Sequence, residues 1–588
     1  MSTSSNDPVP FGVADYILFS GMLAISAITA IYQGFAKGGQ HSTSRYLLAD
    51  RKMHFLPVAM SILVSFTSSL SLMGTPAEIF VYGAGISTQL IATLWSLPVV
   101  TFIFVPVFHD LALTSAYEYM ELRFNFALRI TVAMLFMFQS LFYIAACLIG
   151  PALAIEAVVD FEFWKTLLIT GILGTLYTSL GGMKGVIWTD VFQFFVIVGT
   201  LLTVIIIGVS KTGGIEEVFR INDDNGRLNV FSFDLSPTTR LSFLSGVIGA
   251  AFSFSPSYLS QTAVQRYLTI RSLKHSQMSL LINVPLLYLT LGTIYLTGLV
   301  LFAYYNNDFT PLQMAINVTS PTDVPNFPLS RDSDANYEPN FKTADQILVY
   351  FVSSQLGQIS GIQGLFVAAL FAGALSSVSS SLNALTAVTL EDFIKPFRKW
   401  RAQRSGQIVY TNDRYDTAVS KVLTCVYGLI GIGLAFVASR LASLLVLGTA
   451  ILGVPGAPTL AAYSLGMLYR RANGIGTLIG TVLGFGFGLW ISLGAFVNQG
   501  SSEEVPAIYR LSFMMYSAYG FAVTLVTGIV VSEIINICFR KGYIKSVDPL
   551  LLARCVRPSE CEGKGHQMTN DSSTDYGKNE SEADSKEL

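Results

Sequence analysis

Long apolar runs separated by short polar joints recur along almost the whole chain, and their length sets the first expectation. A bilayer hydrocarbon core about 30 Å thick is crossed by about 20 helical residues. Thirteen windows of that kind can be read, at 12–35, 54–82, 86–109, 127–155, 163–181, 186–209, 241–260, 279–304, 361–391, 417–437, 442–469, 474–498 and 511–537. The pattern predicts an all-α integral membrane protein with about 13 transmembrane helices, since only helices and closed barrels satisfy backbone polar groups in lipid. Two windows depart from clean apolar helix. The second passes from Ser65 to Glu78 through Ser68, Ser69, Ser71, Gly74 and Pro76, and the seventh from Phe252 to Gln261 through Pro256, which removes one helix donor. Both are expected to be interrupted helices. They lie five helices apart, so the two five-helix units they open must have opposite topology, the inverted-repeat pattern in which discontinuous helices surround a midplane site. The units are 54–209 and 241–469, with one extra helix at 12–35 before them and two at 474–537 after them. Serine and proline in membrane helices also simply kink and pack, but matching positions in two halves favour a site.

The Lys/Arg distribution orients the helices. Lys37, Arg45, Arg51 and Lys52 follow the first window, Arg266, Arg271 and Lys274 the seventh, and Lys395, Arg398, Lys399, Arg401 and Arg404 the ninth. All three groups fall inside if the N-terminus, residues 1–11, is outside. Arg470, Arg471, Arg540 and Lys541 then also lie inside, as does the tail 541–588, which is rich in Ser, Glu, Asp and Lys and is expected to be largely disordered. The loop 305–360 falls outside with its Asn317-Val318-Thr319 sequon, making Asn317 a candidate glycosylation site. The sequons at Asn570 and Asn579 fall in the cytoplasmic tail and read as chance matches. The N-terminus carries Asp7 and Asp15 and lacks a basic leader segment, so the first apolar run reads as a retained span.

Composition agrees: 52% of the 588 residues are hydrophobic, 13% are charged and mean hydropathy is +0.55. A net charge of −2 gives no basic field for nucleic acid. Cys147, Cys425, Cys538, Cys555 and Cys561 show no spacing of a zinc site or disulfide framework. The partners to expect are therefore the lipid bilayer and whatever the interrupted helices bind.

A hard cation such as sodium takes about five oxygens, and an unwound helix offers carbonyls while a neighbour supplies hydroxyls. The ninth window has the hydroxyls: Ser376, Ser377, Ser379, Ser380 and Ser381 follow Gly373 within an apolar stretch. Gly373 allows close backbone approach, and Ser376, three residues on, shares its face. Such serines also serve as close-packing faces in membrane helices. Ser68, Ser71 and Tyr258 on the interrupted helices are expected to line a midplane solute cavity. Asp190, just inside the sixth window, is costly at membrane depth unless paired; Arg129, near the start of the fourth, is the expected partner, and the expected role is coupling rather than solute contact. Glu391 and Asp392, beside Lys395 at a helix end, are expected to be solvated. No HExxH, Cys/His cluster or GxSxG turn suggests an embedded enzyme, and two broken helices in inverted halves are unlike a channel's pore loop. A solute sensor on the same fold stays open.

Several stretches carry a resemblance: Tyr46-Leu-Leu-Ala-Asp-Arg51, Ser65 through Glu78, Gly181-Gly-Met-Lys-Gly-Val-Ile-Trp-Thr-Asp190-Val-Phe-Gln193, Val264-Gln265-Arg266-Tyr267, and Thr386 through Asp392. In this order, over about 12–540, the chain resembles the sodium:solute symporter family, and within it the animal branch with the multivitamin, monocarboxylate and iodide transporters. It is less similar to the sugar branch, which has an acidic residue where Ser260 precedes Gln261. The iodide carrier has a glutamine where this chain has Ser71, which argues against iodide. The resemblance implies a leucine-transporter-type fold of ten core helices in a 5+5 inverted repeat. It also implies a sodium site at the carbonyls of Val64, Thr67 and Gly373 and the hydroxyls of Ser376 and Ser377. A second sodium position would map onto Ser65, Asp190, Gln193 and Gln261. The function to expect is sodium-coupled symport of a small organic solute at the plasma membrane, a monocarboxylate or vitamin-like anion, with a sugar, polyol or other neutral solute as the alternative.

Overall fold

The computed structural model describes residues 9–35, 43–159, 161–306, 344–406, 413–439, 444–498, 505–538 and 547–557. Among them all regular structure is helical. The principal helices are α1 (Val13–Phe35), α2 (Phe55–Phe66), α3 (Ser69–Tyr82), α4 (Ala84–Asp110), α5 (Phe126–Val159), α6 (Phe163–Thr212), α7 (Ala250–Leu259), α8 (Gln261–Tyr267), α9 (Leu273–Tyr305), α10 (Ile362–Ser405), α11 (Asp413–Ala438), α12 (Leu444–Leu468), α13 (Gly474–Val497) and α14 (Met515–Cys538). Ten of them are long and apolar enough to cross a membrane, or eleven spans if α2 and α3, bent by 60°, are one.

This count differs from thirteen in two places. The fifth and sixth windows run together as α6, a 50-residue helical segment turned at Gly182, whose φ of 56° and ψ of −171° suit a residue without Cβ. The seventh window is in short pieces. Its interruption is also not at Pro256, which sits inside α7. The helix ends at Ser260, in extended backbone (φ −69°, ψ 156°), where the Ser260 hydroxyl donates to the Ser257 carbonyl at 2.6 Å. A proline removes one N–H and crowds the preceding turn, which can kink a helix without ending it, whereas an extended residue stops the ladder.

The predicted loop 305–360 is in part structured: the turns between Ala344 and Leu356 are helical, largely buried and packed against α3. Asn317, Asn570, Asn579 and Cys561 lie outside the described residues.

α10 is the centre of the bundle. Nearly every residue from Ile362 to Val388 is buried, and α1, α2, α3, α5, α6, α8 and α11 all pack on it. Apolar residues that face outward, such as Ile206, Leu429 and Val497, lie on peripheral helices, as a lipid-facing surface requires. Small residues let helices approach closely. Along the α13–α14 seam a Cβ on Gly480 would lie 2.6 Å from the Thr524 carbonyl, and one on Gly484 2.6 Å from the Gly520 carbonyl. That is the small-xxx-small packing by which membrane helices associate.

Candidate ion and solute site

The site is built where the α2 ladder stops. Thr67 (φ −87°, ψ 79°) and Ser68 (φ −87°, ψ 171°) are non-helical. The Thr67 N–H and hydroxyl both donate to Leu63 O, at 3.0 and 3.1 Å, and α3 restarts with Ser71 and Leu72 N–H groups on Ser68 O. A helix end leaves its last carbonyls and the next helix its first N–H groups without ladder partners, so the break faces carbonyls one way and donors the other. α10 lies directly against it. A Cβ on Gly373 would be 3.2 Å from Thr67 O and 3.3 Å from Ser69 N, tighter than ordinary contact, so a side chain here would push α10 and the break apart by a few tenths of an ångström. The Ser377 hydroxyl donates to Ser65 O at 3.1 Å, and Tyr143 Oη reaches the same carbonyl at 3.5 Å. Val64, Thr67, Gly373, Ser376 and Ser377 are therefore buried at one junction, but the two serines point to different partners.

Ser376 is turned to Asp190, donating to Oδ1 at 2.8 Å, while Ser61 donates to Oδ2 at 2.6 Å. The cation beside Asp190 is Arg266, not Arg129. Both side chains are completely buried, with Nη2 to Oδ2 at 3.5 Å. Arg266 spends its other donors on Ser61 Oγ (2.8 Å), Thr262 O (2.7 Å) and Ser380 Oγ. Ser65 closes the circuit, bonding Ser61 O at 2.6 Å and Ser380 Oγ at 2.9 Å. Ser61 and Ser65 on α2, and Ser376 and Ser380 on α10, are i,i+4 pairs, so each pair presents a polar stripe on one helix face. In the linear sequence Arg266 is one of the charges that flank the seventh window. The restart at Gln261 carries it back into the bundle on α8, where burial without a partner would be prohibitive.

Arg129 belongs to a second cluster. It donates to Asp392 Oδ1 at 2.6 Å, Glu121 Oε2 at 2.8 Å and Glu391 O at 2.9 Å. Asp392, expected in solvent, is completely buried and also accepts from Ser115 Oγ at 2.6 Å. Glu391 does pair with Lys395, at 2.6 Å. Gln261 is held on this side as well: its Oε1 accepts from Ala116 N–H at 2.8 Å and its Nε2 donates to Thr114 O at 2.9 Å. The four residues of the expected second sodium position are thus divided. Ser65 and Asp190 share one network, Gln261 is engaged with residues 114–116, and Gln193, one turn beyond Asp190, has both amide atoms buried with no partner.

On the other side of the break lies a cavity that encloses about 960 Å³ of empty space, the open solvent at its mouth included. Ser68, Ser71 and Tyr258 all line it, together with Tyr143, Gln89, Thr93, Ser257 and Tyr295, and leucines and phenylalanines complete the wall. Among the described residues no charged side chain contributes to it. The sequence reading missed Ser61, Ser380 and Arg266, for which the i,i+4 serines and the VQRY element were available signals. It also missed Gln89 and Tyr295, which sit in unremarkable apolar helices and carry no such signal.

Comparisons with known proteins follow this geometry. The family model for the sodium:solute symporter family matches residues 46–484. Sodium-coupled monocarboxylate transporter 1 of Homo sapiens is 34% identical over 566 residues, covering 89% of this chain and 87% of that protein. The sodium-dependent multivitamin transporter of Oryctolagus cuniculus is 34% identical over 558 residues, covering 89% and 82%. Among solved structures, a Na+-coupled sialic acid symporter in a substrate-bound outward-open state matches 89% of this chain and 98% of its own, with a TM-score of 0.71 at 24% identity, a likeness of fold. With three quarters of its length matched by one family model and relatives aligned nearly end to end, the chain belongs to the sodium:solute symporter family.

Proposed function

We propose that the chain is a plasma-membrane symporter that uses sodium to drive a small organic anion, a monocarboxylate or vitamin-like acid, across the bilayer by alternating access. The observation that carries this reading is the junction at Gly373, where the broken end of α2 turns carbonyls toward α10 while the Ser377 hydroxyl already sits on Ser65 O. Sodium taken up there by Val64, Thr67, Gly373, Ser376 and Ser377 joins the two helices, and Ser376 can contribute an oxygen lone pair while its hydroxyl still donates to Asp190. The first N–H groups of α3 and the hydroxyls of Ser68 and Ser71 then offer the carboxylate a neutral, donor-rich end of a half-helix, where the dipole favours negative charge. A second ion position is proposed at Ser65, Asp190 and Gln193, without Gln261. The unpartnered Gln193 amide supports it. The relatives' names supply the solute class, since one is a monocarboxylate and one a multivitamin transporter.

The proposed topology follows from length. Fifty helical residues at 1.5 Å each reach about 75 Å, more than twice the hydrocarbon core, so α6 is two spans meeting at Gly182. With residues 244–267 as one broken span the count returns to thirteen. The repeats are then 54–209 and 241–469, the N-terminus and Asn317 outside, and the tail inside. A neutral solute is the second reading, favoured by the absence of charge in the cavity wall. Tracer uptake of monocarboxylates, biotin, pantothenate and hexoses into oocytes expressing the chain, with sodium or choline outside, tests both. Sodium-dependent accumulation of an acid is expected. Accumulation of hexose alone selects the neutral reading, and sodium-dependent binding without accumulation marks a sensor and ends the symport reading.

A further inference from the structure

Three residues of the cavity wall, on three different helices, each carry a buried polar atom with no hydrogen-bond partner among the described residues: Gln89 Nε2 on α4, Ser257 Oγ on α7 and Tyr295 Oη on α9. Their residues are 5, 4 and 6% exposed. Four other hydroxyls of the wall are satisfied within the chain: Thr67 on Leu63 O, Thr93 on Leu90 O, Thr449 on Leu445 O and Tyr143 on Ser65 O. Buried polar groups are bonded as a rule, so three unbonded ones around one cavity call for a partner from outside the chain.

We infer that Gln89, Ser257 and Tyr295 form a second polar subsite, which binds an acceptor atom of the solute other than its carboxylate and so selects acids bearing a hydroxyl, oxo, amide or ureido group over plain aliphatic acids. The chemistry narrows the partner. Gln89 Nε2 can only donate, and the two hydroxyls can donate or accept, so the partner common to all three is an acceptor. A donor-only group such as an ammonium would leave Nε2 facing another donor, and no carboxylate is present to hold it. The carboxylate is placed at the other pole, on the N-terminal end of α3, because the half-helix dipole and the adjoining ion site favour negative charge there. Leu63, Leu70, Phe254, Leu287 and Leu291 in the same wall suit a short hydrocarbon body. Discrimination follows because a solute lacking the second acceptor leaves the three groups unbonded in the occluded state, and sites built to bond a polar atom reject the analogue without it. The inference rests on the proposed function, which supplies the carboxylate.

The test uses the full chain in oocytes and four labelled acids: butyrate, 2-oxobutyrate, 3-hydroxybutyrate and N-acetyl-4-aminobutyrate. In the wild type at least one of the three acceptor-bearing acids is expected to show an apparent affinity about tenfold better than butyrate, the equivalent of about 1.4 kcal/mol or one hydrogen bond. Tyr295→Phe, Ser257→Ala and Gln89→Met, at matched surface expression, are expected to reduce that ratio severalfold each. A wild type that takes butyrate as well as or better than the other three overturns the subsite and leaves sodium symport standing. Variants that lower all four acids by one factor overturn it too, since they mark a structural role. Sodium-dependent uptake of none of the four removes the monocarboxylate reading, and the subsite with it.

Discussion

Replacing Asp190 by Asn tests the buried pair that the bundle is built around. The carboxylate accepts from Ser61, Ser376 and Arg266, and Arg266 has no exposed surface through which to recover water. At 3.5 Å and an effective dielectric of about 20, the Coulomb term is about 5 kcal/mol; breaking a buried pair by removing one partner costs about 3–5 kcal/mol. Asn keeps one acceptor, but its amide N–H₂ replaces the oxygen that accepts from both Ser61 Oγ and Arg266 Nη2 and so faces two donors. A loss of about 4 kcal/mol is therefore expected, or roughly 8 °C in the melting temperature of detergent-solubilised protein, using the low end of 2–4 °C per kcal/mol for a large unit. Arg266→Met should cost less, because a carboxyl can neutralise itself by taking a proton while a guanidinium cannot release one. The double variant Asp190→Asn/Arg266→Met should be more stable than Asp190→Asn alone, with a coupling of at least about 1.5 kcal/mol in the cycle. Additive losses, or a double variant less stable than both singles, would refute the assignment of Arg266 as the partner. Arg129→Met serves as the contrast: it should couple to Asp392, not to Asp190.

Ser376→Ala/Ser377→Ala removes two oxygens at the junction, and at about 1.5 kcal/mol each the sodium concentration for half-maximal uptake should rise more than tenfold; a change within twofold refutes the ion site. Gly373→Ala places a Cβ 3.1–3.3 Å from Leu72 Cδ1, Thr67 O and Ser69 N, so α10 must back away from the break, and sodium activation should weaken more than thermal stability, as parallel uptake and melting measurements will show. Gly480→Leu drives a side chain into the Thr524 carbonyl and should lower surface expression with little change in sodium or solute affinity of the molecules that arrive; an altered affinity would contradict a purely packing role for that seam. A C-terminal tag should be reached by antibody only after permeabilisation, and labelling in intact cells would invert the proposed topology.

The apolar periodicity determined by itself that the chain is a helical membrane protein, because the lipid admits few alternatives and 20-residue windows leave little ambiguity. The Ser65–Glu78 run likewise announced the break in α2, and Gly373 with the serines after it announced the helix that meets it. Partnership did not follow in the same way. Arg129 and Arg266 both sit next to apolar windows, and linear position ranks Arg129 as the neighbour of Asp190. Only the helix restart after Ser260 brings Arg266, 76 residues away in sequence, into the bundle and leaves Arg129 to Asp392. Gln89, Ser257 and Tyr295 were equally silent, since a polar side chain in an apolar helix reads the same whether its hydrogen bond is satisfied or open. Local pattern reports which face of a helix is dry. Which polar atoms meet across that dry interior is decided by how the helices cross, and that geometry belongs to the packed bundle rather than to any one segment.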